Sequence, residues 1–156
     1  MKNKNKRIKN SVKAIIIKDN KIAVIQKSEN NKIYYTLPGG AQKKFEDLES
    51  ALKRECFEEI NSNVEIKNMV FIREYIGKNH EFKESDSEVH KVEFFFLCKV
   101  NDYTEIRNGI KPDKTQIDVL FIEIDKLEEY NFYPKGIEEK IKHVSERGNI
   151  YLGDIN

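Results

Sequence analysis

Three glutamates, Glu55, Glu58 and Glu59, stand at positions i, i+3 and i+4. On a helix advancing about 100° per residue they share an arc of roughly 100°. Like charges so placed repel, each pair by a few tenths of a kcal/mol on an exposed helix. The arc borders a stripe containing Leu48 and Leu52, where a purely solvating glutamate is out of place. Partly desolvated carboxylates need a counter-charge, and hard divalent cations prefer oxygen ligands. A solvated acidic helix face gives the same pattern, so the helix alone leaves both readings open. Ahead of it lies Pro38-Gly39-Gly40, where the missing Cβ lets backbone approach a ligand or metal closely. Gly40 is followed by five residues and then Glu46, and seven more lead to Arg54-Glu55, Cys56-Phe57 and Glu58-Glu59.

These residues must be held by ordinary elements. The chain has 156 residues, 38% hydrophobic and 35% charged, with a net charge of +1, which fits one domain with one sizeable core. This balance gives no general reason to expect a nucleic-acid polymer or membrane as partner. Residues 1–10 form a basic, flexible start with Lys2, Lys4, Lys6, Arg7 and Lys9, and residues 11–156 form the domain. No apolar segment follows that start, so it is not a secretory signal, and no run is long enough to span a membrane. Cys56 and Cys98 sit among apolar neighbours and read as buried, reduced thiols of a cytoplasmic protein. The three histidines lack zinc-ligand spacing to them.

Ser11 to Lys18 and Ile22 to Gln26 read as a hairpin turning at Asp19-Asn20, and Ile33 to Leu37 as a third strand stopped at Pro38. The spacing of Leu48, Ala51, Leu52, Cys56 and Ile60 predicts a helix over Glu46 to Ile60, ended by Asn61. Val64 to Ile76 and Glu88 to Val100 are extended. The run Phe94 to Leu97 marks a central strand covered on both faces. Asn101 to Gln116 is a loop, Ile117 to Ile124 a strand, Asp125 the cap of a short helical turn, and Lys135 to Glu146 a final helix. Tyr151 to Asp154 is apolar enough to pack on the sheet. The fold expected is α+β, a mixed β-sheet flanked by helices in an α/β/α sandwich.

The register of Gly40, Glu46, Arg54, Glu55, Glu58 and Glu59, with the Leu37-Pro38-Gly39 lead-in, resembles the Nudix hydrolase family of MutT-like enzymes. Asn61 and Ser62 depart from that family's closing glycine and aliphatic residue. Asn is the best substitute at positive φ, and Val64 is placed to take over the packing. The resemblance implies a Nudix fold and Mg²⁺-dependent hydrolysis of a diphosphate linkage in a nucleoside triphosphate or nucleoside diphosphate derivative, with Mn²⁺ able to substitute. It implies metal binding by Gly40, Glu55, Glu58 and Glu59. It makes Glu46 and Arg54 the ion pair that orients the catalytic helix. It places Lys27, Tyr35 and Gly39 near substrate. Tyr34, Phe71, Tyr75 and Phe132 are further candidates for stacking on a base. The loop glutamate many members use is missing from Pro112 to Asp118, so the water's base stays open among Glu55, Asp113, Asp118 and Glu93, the last also readable as a plain edge-facing glutamate. The implied partner is a small-molecule nucleotide, and the implied assembly a monomer or homodimer. A non-catalytic nucleotide sensor and a plain acidic-helix interaction module are the competing readings.

Overall fold

The computed structural model describes residues 7–144 and 151–156. Its opening hairpin joins β1 (Lys9–Lys18) to β2 (Lys21–Glu29). Asp19 and Asn20 both take positive φ, 50° and 59°, the paired left-handed turn whose twist matches the strands. Asn30 and Asn31 repeat the device before β3 (Lys32–Thr36). β1 begins at Lys9 rather than Ser11, so Lys9 and Asn10 are strand residues; positions 1–6 of the expected basic arm lie outside the described residues. After Pro38, β4 (Gly39–Ala41) folds back to pair with Lys13, Val12 and Ser11.

α1 (Leu48–Ile60) starts later than the expected Glu46. Asp47 is its cap, with the carboxylate accepting from the Ser50 N–H at 2.7 Å. That bond satisfies a donor with no intrahelical partner, and it leaves Glu46 outside the helix. Asn61 closes the helix at φ 55°, ψ 36°, as expected of a residue tolerant of the left-handed region.

The chain continues through β5 (Val64–Ile76), the four-residue α2 (Lys83–Asp86), β6 (His90–Val100), β7 (Gln116–Glu123), β8 (Phe132–Tyr133), α3 (Glu138–Lys142) and β9 (Tyr151–Asp154). α2 has no apolar periodicity and left no trace in the sequence. The final helix starts after Lys135 because Gly136 sits at φ 84°, and residues 145–150 lie outside the described ones. The strand order is β8-β3-β2-β1-β6-β5-β9, with β4 on β1 and β7 on β2. β1–β6, β3–β8 and β5–β9 are parallel and the other pairs antiparallel, which makes the sheet mixed.

Alternation along β1 divides its side chains between two cores. Val12, Ala14 and Ile16 meet Ala51, Leu52, Cys56 and Ile60 of α1 in the first, joined by Val64 as expected. Ile15 belongs to the second, with Phe71, Phe95, Phe132 and the α3 residue Ile141. β6 lies between β1 and β5; Phe95 faces the second core and Phe96 the first, so the central-strand reading holds. Tyr151–Asp154, expected to pack on the sheet, instead joins its edge as β9, paired with β5. Both thiols are free and buried. Among the described residues no helix is long and apolar enough to cross a membrane.

Candidate active site

The glycine loop runs against β1 at Gly39 and against the acidic helix at Gly40. A Cβ on Gly39, at φ 137°, would stand 1.9 Å from the Val12 carbonyl oxygen. A Cβ on Gly40 would fall 2.7 to 2.8 Å from the Glu55 carboxyl atoms. The loop can therefore lie against both β1 and the acidic arc of the helix. The Ser11 hydroxyl donates to the Gly40 carbonyl at 3.0 Å and fixes its direction. Ser11 is buried, and nothing in the sequence set it apart from an ordinary strand-leading serine.

Arg54 ties the loop to the helix. Its Nε and Nη2 grip Glu46 at 2.6 and 3.0 Å, a bidentate pair, and Nη2 also reaches the Ala41 carbonyl at 3.0 Å. The Arg54 bonds, with the Lys43 N–H, bring the Glu46 carboxyl down to about 2. The remaining face of the guanidinium serves the acidic arc, Nη1 to Glu55 at 2.7 Å and to Glu58 at 3.3 Å. Arg54 thus supplies part of the counter-charge that the three glutamates require. In this arrangement no group of three His, Cys, Asp or Glu side chains among the described residues converges to hold a metal ion.

Glu59 is the buried member of the arc, 6% exposed. The Gly39 N–H donates to its Oε2 at 2.9 Å. Burial raises its proton affinity, opposed by the nearby charge of Lys13, the Gly39 bond and Lys27. The chemistry of the acidic arc and the adjoining loop is all oxygen: three α1 carboxylates and the Gly40 carbonyl. Oxygen groups of this kind, brought together, suit a hard divalent cation and no soft one.

The helix is held at its far end by the loop between β6 and β7. The last carbonyls of a helix have no partner within it. Here the Lys111 N–H donates to Glu58 at 2.9 Å, the Gly109 N–H to Glu59 at 3.0 Å and the Arg107 N–H to Ile60 at 3.3 Å. The Gln116 amide adds a second bond to the Glu59 carbonyl at 2.8 Å. Gly109 is required, since a Cβ there would meet the Glu58 oxygen at 2.3 Å. The sequence marked this stretch only as loop; the available signal was Gly109 in a polar run long enough to return to α1.

Lys27 lies on β2 beside Tyr34 and pairs with Asp113 of that loop at 2.5 Å. Burial of Asp113 opposes its ionisation, yet the Lys27 bond and charge hold its carboxyl below the usual range. Asp118 is exposed and accepts from the Val119 N–H. Glu93 is not edge-facing: it is 4% exposed on the central strand, and Arg73 of β5 donates to it at 2.6 Å. Burial pushes the Glu93 carboxyl up, but the charges of Arg73 and Lys13 and the Arg73 bond bring it below the ordinary value. Tyr35 accepts from Gln26 and packs edge-on against Tyr130, in the second core. Phe71 and Phe132 are core residues, and buried Tyr75 donates to Asp86, so these three are not exposed stacking surfaces. Tyr34 is half-buried and meets Tyr133 edge-on at 6.2 Å.

The NUDIX domain family model matches residues 8–143. A NUDIX hydrolase from Nitrosomonas europaea superimposes with a TM-score of 0.71 at 22% identity, covering 96% of this chain and 80% of that one. An ADP-ribose pyrophosphatase from Streptococcus suis gives 0.63 at 20% identity, covering 95% and 98%, and a MutT protein from Methanosarcina mazei Go1 gives 0.67 at 17%, covering 90% and 94%. No curated protein matches the chain significantly by sequence. The match from β1 through α3, on a fold shared with these hydrolases and with the glycine loop and acidic helix in register, places this chain in the NUDIX family of hydrolases.

Proposed function

We propose that this NUDIX pyrophosphohydrolase cleaves the diphosphate linkage of a nucleoside triphosphate or nucleoside diphosphate derivative with Mg²⁺, for which Mn²⁺ can substitute. The observation that carries the reading is the close approach of the Gly40 backbone to the Glu55 carboxylate, so close that an added methyl group would push that carboxylate aside. The backbone is brought against an acidic arc whose own charges repel, an arrangement that gains stability from a bound cation. Glu55, Glu58, Glu59 and the Gly40 carbonyl are the groups that would hold it. The ion would neutralise charge developing on the leaving phosphate.

The chain's own residues do the rest. Arg54 and Glu46 hold α1 against the loop, and Gly39 fixes Glu59 through its N–H. Lys27 and its cross-strand neighbour Tyr34 on β3 face the substrate, while Tyr35 lies on the opposite face of β3 against Tyr130. Among the carboxylates weighed as the water's base, Glu93 is engaged by Arg73 and Asp113 by Lys27. Glu55 is paired with Arg54 in the same way, but it lies on the acidic arc against the Gly40 backbone, where the water would be activated, and we assign the proton to it. The setting is cytoplasmic, consistent with two buried free thiols, and residues 11–156 act as one domain, as a monomer or homodimer.

The test is a panel of dNTPs, ADP-ribose, dinucleoside polyphosphates and nucleotide sugars, with and without Mg²⁺. Phosphate or pyrophosphate release that disappears with chelator supports the assignment. Silence across the panel at full metal occupancy would favour a nucleotide sensor.

A further inference from the structure

Lys13 was read only as part of an apolar strand, yet the fold leaves its half-buried charge without a salt-bridge partner among the described residues. It stands on β1 in register with Gly39 of β4 and Phe95 of β6, on the same side of the strand as Ser11 and Ile15. Its half-buried ammonium has one hydrogen bond, a long one at 3.5 Å to the Leu37 carbonyl. Among the described residues it has no ion-pair partner within 4.0 Å. Lys27 differs, since Asp113 neutralises it at 2.5 Å.

Burying a charge without a partner is costly. An apolar residue at this position would extend the Val12 to Ile17 run and avoid that penalty. The surroundings of Lys13 are the glycine loop, with Glu59 on the Gly39 N–H, Glu93 on β6, and the cations Lys27 and Lys91. Desolvation holds the ammonium below the ordinary lysine value, and the fields of Glu93 and Glu59 only partly offset this. A cation aimed at the glycine loop, short of water and lacking an ion pair, is built for an anion that arrives with the substrate.

We infer that Lys13 binds the substrate's diphosphate beside the glycine loop, as a second cation in addition to Lys27. This assignment rests on the proposed hydrolase reading for the identity of the anion. The phosphoryl oxygens accept from the ammonium and complete the charge compensation the protein leaves undone. Lys27 already has part of its charge met by Asp113, whereas Lys13 has no carboxylate partner within ion-pair range. Lys13 therefore contributes to binding and orientation of the diphosphate. It does not touch the proton taken from water.

The probe is imidodiphosphate, a diphosphate that resists hydrolysis, titrated with Mg²⁺ into the intact protein by calorimetry. Lys13→Met keeps the unbranched apolar stem of the side chain and removes its charge; Lys13→Arg keeps the charge. The expected result is at least about tenfold weaker binding in Lys13→Met and near wild-type binding in Lys13→Arg. A thermal unfolding transition of Lys13→Met shows that the variant is folded before its binding is compared with wild type. If Lys13→Met fails to fold, NMR of the wild-type lysine side chains gives the same decision: the Lys13 resonance must move on saturation with imidodiphosphate. Equal binding by Lys13→Met and wild type, no binding by wild type, or a static Lys13 resonance overturns the inference. Weakened binding in Lys13→Met without turnover of any substrate by wild type keeps this assignment and removes the hydrolase reading. Turnover with the same KM in both proteins does the opposite.

Discussion

Gly109→Ala perturbs the site from outside it. The new methyl group would stand 2.3 Å from the Glu58 carbonyl oxygen, 2.7 Å from its carbon and 2.8 Å from the Phe57 oxygen. Ordinary contact lies near 3.5 Å, so loop and helix end must separate by about 1 Å. The bonds from Gly109 to Glu59 at 3.0 Å and from Lys111 to Glu58 at 2.9 Å then pass beyond hydrogen-bonding range. At about 1 kcal/mol each, their loss costs about 2 kcal/mol, or roughly 4–8 °C in melting temperature for a domain of this size. Glu58 and Glu59 move with their own backbone. A displacement of about 1 Å at the end of α1 lowers kcat by about 10- to 100-fold. The assay pairs thermal unfolding with steady-state phosphate release at saturating metal. Ile110→Ala is the control, because Ile110 is 74% exposed and its loss should change stability by under about 0.5 kcal/mol. A Gly109→Ala protein that melts within about 1 °C of wild type and turns over at the same rate would refute the idea that this loop positions the helix.

Glu46→Gln should flatten the acid limb of stability. The folded Glu46 carboxyl lies near 2 against an ordinary 4.5, so its contribution is present above 4.5 and disappears as pH falls from there to about 2. Melting temperature measured across that window should fall less steeply in the variant. Arg73→Leu leaves Glu93 buried without its partner, and urea unfolding should show a loss of about 3–5 kcal/mol. Asn61→Gly should lie within about 0.5 kcal/mol of wild type in the same measurement, whereas Asn61→Val, forced to φ 55°, should lose about 1–2 kcal/mol.

The acidic arc was legible because helical periodicity is a local property. Leu52, Cys56 and Ile60 declare the buried face and set the arc beside it; the 6% exposure of Glu59 then excludes the solvated reading for that residue. The Gly-Gly loop was legible because few residues permit such backbone proximity. The start of α1 was misplaced by two positions, from Glu46 to Leu48, because Asp47 competes successfully for the capping role. Glu93 was misread because its burial depends on Arg73, twenty residues away on the neighbouring strand, an interaction that no local pattern records. Ser11, Lys13, Gly109 and Gln116 were passed over for the same reason. Each matters through a partner brought close by the sheet or by a long connection: Gly40, the Leu37 carbonyl, and the last carbonyls of α1.

The most direct measurement is turnover of the nucleotide panel by wild type and Glu58→Gln, each with Mg²⁺ and with chelator. Wild type should release phosphate or pyrophosphate only with metal present, and Glu58→Gln, folded by its melting curve, should be at least about 100-fold slower. Full activity in Glu58→Gln, or turnover that survives complete removal of divalent ions, would contradict the assignment of this glutamate to a metal-assisted diphosphate cleavage.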